Sequence, residues 1–146
     1  MDLANFLKQY RIIALDTNIF ISVFSQEPLG AKVVPIIDAA ANKGTHEMLT
    51  SVLAFSECAV RPYKEGNWAA LDQVKLMFQM PHLTTHAMGE SVAEEAARLR
   101  AAYSFKMPDA IIVATAIIHE ADVLLTNDHQ LVSVKEIPVI TLDQLV

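Results

Sequence analysis

The stretch IIALDTNIF, residues 12–20, decides the fold. Ile12, Ile13, Ala14 and Leu15 form an unbroken apolar run that ends in a polar cluster, Asp16, Thr17 and Asn18. A short run of this kind reads as a strand covered on both faces, the type found in parallel sheets. Apolar residues resume at Ile19, so the strand passes into a helix over 17–25. A carboxylate at that junction has two readings. It caps the following helix, or it is one ligand of a metal site at the rim of a sheet. The choice depends on whether other carboxylates reach the same rim.

Working outward, a short helix over 2–9 precedes the strand at 11–15. GAKVVPIIDAAANK (30–43) reads as a further helix, bent or restarted at Pro35. A second strand lies near Glu47–Thr50, and Ser51 caps the helix that follows, VLAFSECAVRPY, with a break or bend expected at Arg61-Pro62. Trp68, Leu71, Val74 and Phe78 fall at near-helical spacing. A weak third strand is expected around His82–Thr85. Val92, Ala96, Leu99 and Tyr103 recur as one face of an amphipathic helix. DAIIVATAIIHE is apolar nearly all round, which predicts a helix buried in the middle of the domain. ADVLLTND is a strand ending in a polar cluster, and PVITLDQLV supplies a last short strand and turn. Strands alternating with helices predict a three-layer α/β/α domain with a central, mainly parallel sheet of about four or five strands. Neither repeats nor a domain boundary interrupt residues 1–146, so a single domain is expected.

Composition narrows the classes further. Of 146 residues 53% are hydrophobic and 19% charged, which excludes a disordered chain. The formal charge is −6, which argues against holding nucleic acid by bulk charge alone but leaves room for a local basic face. The lone cysteine, Cys58, forms no internal disulfide, which suits a reducing cytoplasm. No signal peptide is visible, and the run Ala110–Ile118 falls short of the roughly 20 residues a membrane span needs. The high apolar content predicts a homodimer with the region 66–103 in its interface.

Four carboxylates sit at comparable places. Asp16 and Asp128 each follow a strand. Glu57 lies one to two turns into the helix after the second strand. Asp109 opens the buried helix, whose far end feeds the strand at 122–126. In a parallel sheet all four are brought towards the carboxyl rim, where such folds keep their sites. Each has an ordinary alternative: Asp16 as a cap, Asp109 as complement to a helix dipole, Asp128 as a turn residue, Glu57 as a solvated side chain. Those alternatives do not predict convergence. Crowded carboxylates repel unless a cation intervenes, and Mg²⁺ or Mn²⁺ suits carboxylate and water ligands. Such a site activates water for phosphodiester hydrolysis.

LDTNIFISVF, LTSVLAFSE, MPDAIIVATA and DVLLTND, spread from residue 15 to 128, resemble in order and spacing the PIN domain family, especially the VapC-type toxins. The resemblance implies a metal-dependent ribonuclease acting as the toxin of a toxin–antitoxin pair, with an RNA substrate, a cognate antitoxin and Mg²⁺ or Mn²⁺ as cofactor. It maps the acidic roles onto Asp16, Glu57, Asp109 and Asp128, and supporting roles onto Asn18 and Thr126. It also implies dimers.

Arg61, Lys64, Arg98, Arg100 and Lys106 are candidates for contacts to an RNA backbone, although an ordinary solvated face explains most of them. His82 and His86 have a spacing that would suit zinc on a helix, but they lie in a strand or loop. His129 reads as an exposed loop residue and Cys58 as a small buried hydrophobe. Three other functions compete: a PIN-like RNA-binding or regulatory module with little cleavage, a phospho-receiver, and a flap nuclease. The receiver needs paired acids on one loop, and the flap nuclease needs insertions for which 146 residues leave no room.

Overall fold

A computed structural model describes all 146 residues. Five strands form one wholly parallel sheet in the order β3-β2-β1-β4-β5. They are β1 (Ile12–Leu15), β2 (Glu47–Ser51), β3 (Leu83–His86), β4 (Val123–Thr126) and β5 (Val139–Thr141). Seven helices flank the sheet, giving the three-layer arrangement: α1 (Leu3–Gln9), α2 (Thr17–Phe24), α3 (Val34–Ile37), α4 (Val52–Glu65), α5 (Trp68–Met77), α6 (Glu90–Tyr103) and α7 (Met107–Ile118). The chain steps from β1 to β2 and β3 on one side, then returns to place β4 and β5 on the other. The strand order therefore reverses between β1 and β4, and parallel folds open a crevice beyond the carboxyl ends of the strands at that point.

The sequence pattern explains this placement. All of β4 is buried, as are Ile13–Leu15 of β1, so both strands need layers on either face. α7 supplies much of one layer, with every residue from Ala110 to Ala116 buried. α6 turns Val92, Ala96 and Leu99 inward. The opposite rim is closed by a different acid. One carboxylate oxygen of Asp122 accepts from the backbone N–H groups of Arg11 (2.9 Å) and Ile12 (2.8 Å), occupying donors at the start of β1.

Two local expectations are revised. α4 does not end at Arg61-Pro62 but runs through Pro62 to Glu65 and closes at Gly66, whose φ of 62° is left-handed. Pro62 removes one helical N–H, but it sits in the last two turns with its ring buried. Residues 30–43 are not one bent helix. They form a 3₁₀ turn (Pro28–Lys32), the single turn of α3 and a π turn (Asp38–Asn42). Pro35 lies in the first turn of α3, where a missing N–H costs little. In α5, Leu71 and Val74 are buried, as is the adjoining Phe78, but Trp68 is 61% exposed and packs edge-on against Tyr63.

The turn at 28–32 touches α2 closely. A Cβ at Gly30 would lie 2.2 Å from the Ser22 carbonyl oxygen. That neighbour is backbone and cannot swing aside, so Gly30→Ala is expected to destabilise the fold by about 1–3 kcal/mol. For a chain of this size that lowers the melting temperature by roughly 2–4 °C per kcal/mol. Thermal unfolding followed by circular dichroism checks it; an unchanged midpoint would refute the close approach.

Candidate active site

The rim at the β1/β4 reversal is assembled around Asp16. The backbone N–H of Asp16 donates to Leu125 O of β4 at 3.0 Å, which carries the β1–β4 ladder to the last residue before α2. The residue is 5% exposed. One oxygen, Oδ1, accepts from the Thr17 N–H at 2.7 Å, so Asp16 does cap α2. The other, Oδ2, accepts from the Thr126 hydroxyl at 2.7 Å and from Asn18 Nδ2 at 3.2 Å. The capping role and membership of an acid cluster thus coexist in one side chain.

Thr126 and Asn18 tie the two strand ends together. The Thr126 Oγ1 that donates to Asp16 also accepts from the Asp128 N–H at 2.9 Å. Asn18 Oδ1 accepts from the Asn127 N–H at 2.9 Å. Asp128 Oδ1 in turn accepts from the Gln130 N–H at 2.9 Å, which caps the 3₁₀ turn His129–Ser133. That leaves its second oxygen without a protein donor. The two supporting residues therefore hold the β4 end against the β1 end, a contact between positions more than a hundred residues apart.

Glu57 approaches from α4. Its Oε1 accepts from the Thr17 hydroxyl at 2.6 Å. Asp109, half-buried in the first turn of α7, completes the set. Asp16 and Asp109 are perturbed by their surroundings. Burial, opposed in part by the Thr126 and Thr17 hydrogen bonds, pushes the Asp16 carboxyl up to about 6, and Asp109 and Glu57 add to the rise. Asp109 is also raised, by burial first and then by Asp128 and Glu57, with Lys106 opposing. Lys106, at the N-cap of α7, is the only cation acting on either group.

As the side chains stand, no three of the acids converge tightly enough to ligate one ion. The donor set is nonetheless suited to a hard divalent cation: oxygen ligands only, one of them buried, with a local negative charge that Lys106 alone opposes. Such an excess is relieved by a cation or by protonation.

The other basic candidates stand elsewhere or are occupied. Arg61 bonds Glu65 at 2.8 Å. Arg98 is held by Glu95 and Glu136, and Arg100 donates to Phe105 O at 2.9 Å. Lys64 is exposed. His82 pairs with Glu47 at 2.6 Å, while His86 stacks on His119 with ring centroids 3.5 Å apart. Cys58 is buried, and burial pushes its thiol up to about 12, so it is no nucleophile at neutral pH.

Two features escaped the sequence. Asp143, just beyond β5, is a further acid beside the rim; β5 pairs Thr141 with Thr126, and the Asp143 carboxylate meets His129 Nε2 at 3.1 Å. Its signal was available, since it too follows a strand. The bond from Thr17 to Glu57 was not visible, because it spans two helices. Beside Glu57 a groove of about 410 Å³ opens between α2, α4 and α5, walled by Ile21, Phe24, Cys58, Ala70 and Val74, with Arg61 and Glu65 among its polar residues.

A parallel α/β/α sandwich with acids gathered at its topological switch defines a class, and comparison with known proteins gives that class a family. The family model for the PIN domain matches residues 13–137, and the chain belongs to that family. Solved structures with the same fold include chains from a toxin–antitoxin complex of Klebsiella pneumoniae (23% identity, TM-score 0.66, 89% of this chain and 97% of that one). VapBC2 of Rickettsia felis, bound to a DNA fragment from its promoter, is similar at 18% identity and TM-score 0.71, covering 89% and 98%. DNA-bound VapBC of Salmonella typhimurium is similar at 16% identity and TM-score 0.68, covering 90% and 98%. Among curated proteins, no sequence matches significantly.

Proposed function

We propose that this chain is a metal-dependent endoribonuclease, the toxin of a toxin–antitoxin pair. The observation that carries the proposal is the linkage of the acids at the switch point: Thr17 bonds both Asp16 and Glu57, Thr126 bonds Asp16 and the Asp128 N–H, and Asp16, raised by burial first, is raised further by Asp109 and Glu57. Asp16, Asp109 and Asp128 would hold Mg²⁺ or Mn²⁺ directly or through water, and Glu57 would serve as ligand or orient the attacking water. When bound, the ion would lower the pKa of a water and stabilise charge on a phosphodiester. Asn18 and Thr126 keep Asp16 and Asp128 in register, and Lys106 is placed to meet a phosphate beside Asp109. It offers a locally positive contact on a chain of net charge −6. The test is cleavage of structured RNA by the purified protein with and without EDTA. Loss of cleavage in EDTA and recovery with Mn²⁺ is expected; cleavage unaffected by EDTA would refute the metal mechanism. A protein that binds Mn²⁺ and RNA yet cuts none would be the binding module instead.

The partners follow the same reading. The groove beside Glu57 suits a segment of an antitoxin with an apolar side chain, whose occupation would cover Glu57; the structural relatives described as toxin–antitoxin complexes support this. A small neighbouring gene, overlapping or nearly so, is the corresponding genetic expectation. No helix is long and apolar enough to cross a membrane. Trp68 and Leu76 on α5 are 61% and 67% exposed, and the neighbouring Val60 and Tyr63 of α4 are exposed too. This apolar surface supports a homodimer through the region 66–103, extended into the end of α4. Sedimentation equilibrium at micromolar concentration should give about twice the chain mass of 16.1 kDa. Leu76→Glu should return a monomer, and a wild-type monomer throughout would reject the dimer.

A further inference from the structure

We propose that Thr17 is a positioning residue of the acid site, setting where the Glu57 carboxylate stands relative to Asp16. The inference rests on the metal-site reading above. Thr17 is the first residue of α2 and only 7% exposed. Its backbone N–H donates to Asp16 Oδ1 at 2.7 Å while its hydroxyl donates to Glu57 Oε1 at 2.6 Å. One residue therefore holds an oxygen of each of two acids that lie 41 positions apart in sequence.

Glu57 has no other hydrogen bond and no ion pair. It stands on an exposed part of α4 at the edge of the groove. A glutamate there would ordinarily be distributed over many rotamers. Thr17 is β-branched, and burial leaves its hydroxyl little freedom. Its single hydroxyl proton is committed to Oε1, which leaves Oε2 free for a cation or an attacking water. Groups that orient metal ligands from behind in this way affect binding without touching the ion. A threonine that merely began a helix would make no such bond across to α4.

The test compares Thr17→Val, which keeps shape and branching but loses the hydroxyl, with Thr17→Ser, which keeps the hydroxyl. Thermal melts confirm folding, and Thr17→Ala replaces Val should that variant unfold. Mn²⁺ affinity is read from the free-ion electron paramagnetic resonance signal without RNA. Valine is expected to weaken Mn²⁺ binding and lower kcat for RNA cleavage, each by about 10–100-fold, with KM little changed, and serine to recover most of both. In the double variant Thr17→Val/Glu57→Gln the loss should not exceed that of Glu57→Gln alone, because the hydroxyl acts through that carboxylate. Unchanged Mn²⁺ affinity in Thr17→Val, or additive losses in the double variant, would overturn the positioning role and leave the metal site standing. Wild-type protein that binds no Mn²⁺ would overturn the site and this role together. Should the chosen RNA resist the wild type, the Mn²⁺ measurements alone decide.

Discussion

Replacing Asp16 by Asn should remove RNA cleavage by more than about 100-fold, exceeding the usual effect of altering a residue behind a metal ligand, while making the protein more stable at pH 7. Asp16 is raised from 3.8 to about 6 in the folded chain, by burial first and then by Asp109 and Glu57. The folded state therefore holds that proton more tightly than the unfolded state does. Its contribution to stability is complete below pH 3.8, declines as pH rises, and is gone above about pH 6. A difference of that size corresponds to something on the order of 3 kcal/mol at neutral pH. Asn carries no charge and escapes the loss. It also cannot accept from both the Thr17 N–H and the Thr126 hydroxyl, which costs about 1 kcal/mol for the hydrogen bond forgone. The variant should thus be the more stable protein at pH 7 and the less stable one at pH 4. Urea titrations at the two pH values, with the metal removed, measure the crossover. Wild type remaining the more stable protein at pH 7 as well as at pH 4 would mean that Asp16 ionises without penalty, and the charge cluster would lose its main support.

Saturating Mn²⁺ should raise the melting temperature substantially. A ligand at a hundred times its dissociation constant stabilises the state it binds by about 2.7 kcal/mol. In a chain of this length that corresponds to roughly 5–10 °C. Binding should also release a proton near pH 6, because Asp16 must ionise to serve as a ligand and is raised to about 6 in the metal-free protein; Asp109, also raised, adds to the release. Calorimetry in two buffers of different ionisation enthalpy counts those protons. Asp109→Asn should lose most of the thermal shift, since it removes an acid whose charge is felt by Asp16. A melting temperature indifferent to Mn²⁺ would count against any shared site. A shift retained in Asp109→Asn would move that site away from α7.

Much of the candidate site's placement was legible in the sequence. Ile12–Leu15 and Val123–Thr126 announce buried strands because both lack the alternation of a half-exposed one, and Asp16 and Asp128 follow directly. Once the sheet is parallel, strand ends must share a rim, and α7 must begin there to reach β4 from its other end. The same rule applied to β5 would have found Asp143. Helix ends were read less well. Pro62 lies inside α4 because its buried ring and the αL closure at Gly66 outweigh a local preference. Trp68 keeps the helical spacing of Leu71 and Val74 yet stands at the start of α5, largely exposed and edge-on to Tyr63.

The amino-acid order alone determined the succession of strands and helices, the parallel sheet, and the arrival of Asp16, Glu57, Asp109 and Asp128 at one edge, since these follow from periodicity and chain connectivity. Tertiary structure decided how those acids behave. Thr126 reaches Asp16, Thr17 reaches Glu57, and Arg98 is drawn off by Glu95 and Glu136. Asp16 holds its proton to about pH 6 because packing excludes water from one carboxylate and sets others beside it. Burial and charge proximity depend on the register of strands and the tilt of helices, so they emerge only when segments distant in sequence come together in space.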